Sequence, residues 1–280
     1  MEAIEAILSI NRIFKKNKWH EKDVQDLAME GFCRLLDSLE PEQRILLLEL
    51  TNNYQWISHD EYRDKFVQAM ETISEDQLTD VKKIHFFPII KPEDENKVKS
   101  GEHLFYIIKS FKRLMTKYNH IQFEYLKTFD QLQALKLESE ERLFLVDDYI
   151  GSGDTFNHCL TEVAKNSSLS SSAIKVVCIA IQEDTQLNLV LDGYAVLKTI
   201  VLKKGITDYN ERAVVEEKKT LMREIERNIP GSKSVSLGYN ETEALITMAR
   251  TPDNTFPVFW KKFRKEGKYF DAPFARYDEQ

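Results

Sequence analysis

One stretch constrains this chain more than any other: Leu143–Phe156, LFLVDDYIGSGDTF. Four apolar residues, Leu143, Phe144, Leu145 and Val146, run directly into Asp147 and Asp148, then Tyr149 and Ile150. A continuous apolar run of this kind suits a strand buried on both faces, as in a parallel sheet. Gly151, Ser152, Gly153, Asp154 and Thr155 follow as a small-residue loop. Phe156, Cys159, Leu160 and Val163 then recur at helical spacing. The expected unit is a buried strand, an acidic strand end, a glycine loop and a helix start. Ligands of open α/β sheets bind at the carboxyl ends of the strands. The N–H groups of the loop and helix start offer hydrogen bonds to a phosphate. Two carboxylates would repel that phosphate unless they hold sugar hydroxyls or a metal ion. The stretch therefore asks for a ligand with a phosphate at one end and a ribose or Mg²⁺ beside it. The plainer alternative is a strand–turn–helix whose Asp147 and Asp148 are solvated strand-end acids.

The flanking sequence supplies a sheet around this strand. Ile84–Ile90, Ile121–Thr128, Ile174–Ile181 and Tyr194–Leu202 all read as strands, and amphipathic or polar segments separate them. The predicted fold is α/β, a five-stranded, mostly parallel sheet flanked by helices, with Leu143–Val146 central. After the first strand comes a polar loop, Lys91–Gly101, and a helix is expected from near Glu102. Lys97, Lys99, Ser100 and Gly101 sit just before that helix, a place suited to an anion; the alternative is a solvated charged loop. A short helix is expected over Phe129–Leu137.

Residues 1–80 read as helical. Ile4, Ile7, Leu8, Ile10, Ile13 and Phe14 form a stripe, Glu21–Leu39 continues helically, and Pro41 can start a third helix. Ser58 and Glu61 form a capping-box pattern before Tyr62, Phe66, Ala69, Met70 and Ile73. No residue of this region carries a chemical motif, and it reads as a packing or partner-binding layer. Residues 209–228 are expected to be a charged helix. The organisation expected is an N-terminal helical region over 1–80, a core over 81–205, and a C-terminal helix and cap over 206–280.

Composition removes several function classes. A net charge of −7 argues against broad nucleic-acid or anionic-membrane binding. No apolar run approaches the ~20 residues a transmembrane helix needs. Cys33, Cys159 and Cys178 are far apart in apolar settings and read as reduced core thiols of a cytoplasmic protein. The His residues are scattered and none has metal-ligand spacing with a Cys, so a structural zinc site is not expected.

With these residues in view, Leu143–Thr155 resembles the phosphoribosyl-pyrophosphate (PRPP) loop of type I phosphoribosyltransferases: an apolar strand, two acids, two mostly apolar residues, then a small-residue loop ending in Thr or Ser. The resemblance implies that Asp147 and Asp148 hold the ribose 2′- and 3′-hydroxyls, next to Tyr149. Gly151, Ser152, Gly153, Asp154 and Thr155 would wrap the 5′-phosphate. Mg²⁺ would arrive on the ligand, within reach of Asp147 and Asp148. Pyrophosphate would meet Lys99, Ser100 and Gly101, making Asp147, Asp148 and Lys99 the catalytic set. Two features depart from the family pattern. The pyrophosphate loop there is usually shorter and often carries Arg, and no long catalytic flap precedes the Leu143 strand here.

Towards the C-terminus, Gly238–Glu241 and the segment TPDNTFPVFW, Thr251–Trp260, resemble a phosphoribosyltransferase-like family of bacterial conflict and antiphage systems, some beside retron reverse transcriptases. That resemblance runs from about Tyr54 onward. It implies an effector that transfers or releases a phosphoribosyl group and is gated by a protein partner from a defence operon. The alternatives are a non-catalytic PRPP- or nucleotide-sensing module and a nucleobase salvage enzyme. Asn254, Thr255 and Trp260 would form a hood over the base or acceptor; the alternative is that Trp260 and Phe256 anchor a C-terminal cap. Lys261–Lys268 is either a solvated face or a dock for nucleic acid or an acidic partner.

Overall fold

Amphipathic helices open the chain, and their apolar faces decide what they can pack against. In the computed structural model, residues 1–95 and 100–276 are described. Helix α1 (Ala3–Lys16) buries Ala6, Ile10, Ile13 and Phe14; a Glu2/Glu5 capping box starts it, and Lys15 and Lys16 sit in its last turn. Helix α2 (Gln25–Ser38) begins later than the sequence suggests. A 3-10 turn at Trp19–Glu21 and a left-handed Val24, φ 56°, separate it from α1. Helix α3 (Pro41–Asn52) has Pro41 in its first turn and a Glu40/Gln43 capping box. A two-residue strand, β1 (Gln55–Trp56), ends this part.

The second stretch of chain is the sheet. Helix α4 (Tyr62–Glu71) follows a 3-10 turn at His59–Glu61, and its N-cap is Glu61. The elements then run β2 (Lys83–Pro88), α5 (Ser100–Phe111), β3 (Gln122–Tyr125), α6 (Phe129–Ala134) and β4 (Glu141–Ile150). After them come α7 (Asp154–Val163), β5 (Ile174–Gln182), α8 (Glu183–Leu191) and β6 (Ala195–Leu202). The strand order is β3-β2-β4-β5-β6, every pairing is parallel, and β4 is central. That agrees with the predicted α/β sheet. Leu143–Val146 are fully buried because helices cover both faces. On one face Leu143 and Leu145 pack with Phe87, Val176, Phe129 and Phe156. On the other, Phe144 meets the rings of Phe86 and Tyr118, and α5 lies against β2 and β4.

The last part of the chain adds α9 (Arg212–Glu226), β7 (Ile246–Thr247), and the hairpin β8 (Phe263–Lys265) with β9 (Lys268–Phe270). Strand β7 pairs parallel with β1, a contact between distant parts of the sequence that local patterning does not reveal. The chain divides into two compact units: Met1–His59 with Lys203–Gln280, and Asp60–Leu202. The core of the first contains an aromatic cluster. Tyr54 stacks on Phe274 at 4.9 Å, and Trp19, Phe32 and Trp56 meet the same ring edge-on.

Candidate functional site

Strand β4 carries its apolar run to the sheet's carboxyl edge and ends in two acids. Successive side chains on a strand point to opposite faces. Asp147 shares a face with Cys178 and Lys198, its partners in register on β5 and β6. Its charge joins burial in pushing the thiols of Cys159, to about 12, and Cys178 upward. Both are therefore neutral core thiols, not nucleophiles. Asp148 faces the other way, where the Tyr62 hydroxyl on α4 donates to its Oδ2 at 2.7 Å. The Asp148 N–H in turn donates to Asp147 Oδ1 at 2.8 Å. Both carboxylates are half-buried, so each keeps an approach from solvent. Tyr62 lies in the region that sequence reasoning left without chemistry; nothing local marks a residue 86 positions from its partner.

Beyond the acids the chain turns within three residues. Gly153 is left-handed, φ 79°, which glycine adopts without strain. Its carbonyl accepts the first hydrogen bond of α7, from Asn157 N–H at 2.8 Å. The N–H groups of the first turn, Asp154 to Phe156, therefore have no acceptor within the helix and lie at its positive end. Ser152 Oγ accepts from Asp154 N–H at 3.4 Å. The N-terminus of α8 braces the turn: Thr185 donates to the Gly151 carbonyl at 2.6 Å, and its methyl lies 3.0 Å from where a Cβ on Gly153 would be.

The negative charge of Asp154 at the start of α7 is matched by Lys91, whose Nζ lies 2.6 Å from Asp154 Oδ2. Lys91 comes from the loop after β2. The same loop supplies Glu95, which accepts from Phe129 N–H at 2.5 Å at the start of α6. Lys91 is the first residue of the polar Lys91–Gly101 loop, and no local pattern sets it apart from the other charges there. The loop's other expected anion contacts land differently. Lys97 and Lys99 fall outside the described residues, and Ser100 and Gly101 are the first residues of α5 instead of preceding it. Among the described residues, no three His, Cys, Asp or Glu side chains gather as a metal-binding group.

The other residues expected at the ligand have partners within the chain. Tyr149 is buried, and its hydroxyl donates to Gln182 Oε1 at 3.4 Å, so it packs the sheet. Thr255 is fully buried and donates to the Ile246 carbonyl at 2.6 Å. Trp260 Nε1 donates to the Thr255 carbonyl at 2.9 Å, and the Asn254 amide donates to Thr242 Oγ1 at 3.1 Å. In the unit that contains them, the polar atoms of Asn254, Thr255 and Trp260 hold the C-terminal segment together. Trp260 is stacked by Lys261 and Arg276.

The family described as PRTase-CE matches residues 36–275 of the chain. No curated protein matches it. Similar solved structures include a hypothetical protein from Neisseria gonorrhoeae with bound ppGpp, at 12% identity and a TM-score of 0.34, over 61% of this chain and 97% of that one. They also include hypoxanthine-guanine phosphoribosyltransferase from Schistosoma mansoni in complex with IMP, at 12% identity and a TM-score of 0.30, over 52% of this chain and 65% of that one.

Proposed function

The chain belongs to the PRTase-CE family of phosphoribosyltransferase-like proteins, and from that premise we propose that its Asp60–Leu202 unit binds PRPP with Mg²⁺ at the carboxyl end of β4. The 5′-phosphate takes the N–H groups of Gly151–Thr155, and Asp147 and Asp148 accept from the ribose hydroxyls. The observation that carries this reading is the turn itself: an acid pair at the end of the central strand, a left-handed glycine, and a helix N-terminus within seven residues of one another. Asp147 and Asp148 would be the chain's share in holding a Mg²⁺ carried by the substrate, and the ion would offset the charge of the departing pyrophosphate. In the transfer, the bond from C1 to the pyrophosphate oxygen breaks as a bond from C1 to an acceptor forms. The site's work is to position the ribose and stabilise departing charge. The likeness of the Thr251–Trp260 segment to conflict-system proteins extends the proposal to antiphage defence with an operon partner.

Calorimetry with PRPP and Mg²⁺ tests the assignment. Replacing Asp147 and Asp148 together with Asn keeps the shape and the Tyr62 contact but removes charge-assisted bonds, and should cost about 1–3 kcal/mol of binding. Equal affinity of the two proteins means that the loop is not the site. PRPP consumption by the chain, with and without operon partners, separates an enzyme from a sensor.

A further inference from the structure

Helix α1 carries more apolar surface than its own unit covers. It buries Ala6, Ile10, Ile13 and Phe14. Ile4 and Leu8 belong to the same apolar run, yet they stand 75% and 53% exposed. They are one turn apart, so they form one ridge on the side of the helix turned away from the core. Ile45 on α3 is 41% exposed. Its neighbour Arg44 donates from Nη1 to the Met1 carbonyl at 3.1 Å, which sets the start of α3 beside the start of α1. Single exposed apolar side chains are ordinary, but a ridge of them on adjoining helices marks a contact surface.

The charges on α1 indicate what covers that ridge. Glu2 and Glu5 stand at its start and Arg12, Lys15 and Lys16 towards its end, all exposed. At 3.6 residues per turn, Glu5 and Arg12 fall on the same flank of Leu8 on the outward face. Along the axis Glu5 and Arg12 lie equally far on either side of the Leu8–Ser9 peptide, and so do Glu2 and Lys15. A second α1 turned end for end about that point therefore sets acid opposite base at both pairs. A parallel copy would set like charges together. Glu5 also caps the helix, its Oε2 accepting from the Glu2 N–H at 3.2 Å, and a carboxylate can accept from more than one donor. The pattern is self-complementary, as a twofold interface between identical chains requires.

We propose that α1 is a self-association surface: two copies of the chain pair antiparallel through it, with Leu8 at the twofold axis and Glu5 of each copy opposite the partner's Arg12. The proposal does not depend on the phosphoribosyl reading. Sedimentation equilibrium of the full chain from about 1 to 100 μM, the range in which a small interface associates, tests it. A reversible monomer–dimer equilibrium is expected. Leu8→Glu should weaken the dimer at least tenfold. Glu5→Lys and Arg12→Glu should each weaken it, and the Glu5→Lys/Arg12→Glu double variant should restore it, because the swap recreates both charge pairs. Leu191→Glu, at an 83% exposed position of α8, should leave it unchanged. Circular dichroism checks that each variant is folded; if Glu5→Lys unfolds through loss of its cap, Leu8→Glu and Arg12→Glu still decide. A chain that stays monomeric throughout, a dimer that folded Leu8→Glu leaves intact, or one that Leu191→Glu dissociates overturns the proposal. So does a folded double variant that associates no better than the single ones, which would rule out the antiparallel register.

Discussion

Lys91 sets the charge at the helix start. Asp154 stabilises the positive end of α7, yet an unpaired carboxylate there would oppose a phosphate. The Lys91 ammonium offsets that charge, so under the proposed reading the backbone N–H groups would be left to the phosphate. Lys91→Ala should therefore weaken ribose 5-phosphate binding about tenfold, roughly 1.4 kcal/mol, and adding Asp154→Asn should recover part of the loss. A double-mutant cycle measured by calorimetry checks this; additive losses would mean that the two charges act independently. A second prediction concerns Glu226, which is 2% exposed. Burial pushes its carboxyl up to about 7, against the hydrogen bonds from Ser236 and the Leu237 N–H. A raised folded pKa means that the native state holds the proton longer than the unfolded chain does. Its stabilisation is complete below about 4.5 and is lost as pH rises through about 7, an effect on the order of 3 kcal/mol. Glu243 has the opposite sign: burial raises its pKa, but the Lys219 ammonium, the Thr207 hydroxyl and two backbone N–H groups hold it below the usual range. Its contribution is lost on acidification. Urea unfolding of Glu226→Gln should show a flatter stability profile between pH 5 and 8 than the parent, whereas an unchanged slope would place the buried proton elsewhere. None of these pairings is readable from sequence, because Lys91 and Asp154 are 63 residues apart and Glu226 looks like one more charge on a solvated helix face.

At the scale of elements, the strand–turn–helix from β4 to α7 was the most legible part of the chain. Its signals are local: an uninterrupted apolar run, two glycines and helical spacing. Gly153 fixes the turn, and a substitution there meets two obstacles. Gly153→Ala places a Cβ in a left-handed backbone, which costs roughly 1–2 kcal/mol, and sets it 3.0 Å from the Thr185 methyl. Thr185→Ser removes that methyl and keeps the hydroxyl bond to Gly151. Thermal unfolding should show Gly153→Ala destabilised, with partial rescue in the Gly153→Ala/Thr185→Ser double variant; full rescue would mean that the backbone conformation costs nothing. Less legible were the breaks and short pairings. Nothing near Val24 announces a left-handed residue before α2, and β1 finds β7 across nearly 200 positions. The aromatic tail invited a ligand-binding reading because Asn, Thr and Trp are suited to that work. The structure gives Asn254 and Thr255 internal partners, and only the fold brings Thr242 and Ile246 within their reach.

At the scale of the molecule, the chain leaves one unit at His59 and returns to it at Lys203. The aromatic core of that unit depends on both stretches, since Trp19, Phe32, Tyr54 and Trp56 close around Phe274. Residues 1–59 made alone should therefore lack fixed tertiary structure, with a weak near-ultraviolet circular dichroism signal and rapid proteolysis. Residues 60–202, which hold all five strands of the larger sheet, should unfold cooperatively on their own. A protease-resistant 1–59 fragment would contradict the first expectation, and a non-cooperative 60–202 fragment the second. The same division sets a timetable for synthesis. Between His59 and Lys203 a ribosome must add 143 residues, counting 60 through 202, which takes about 7–30 s at 5–20 residues per second. For that interval Phe14, Trp19 and Phe32 have no Phe259 or Phe274 to pack against. The sheet can form while the first three helices wait, so the newborn chain presents apolar surface early and covers it only once Phe259 and Phe274 have been made.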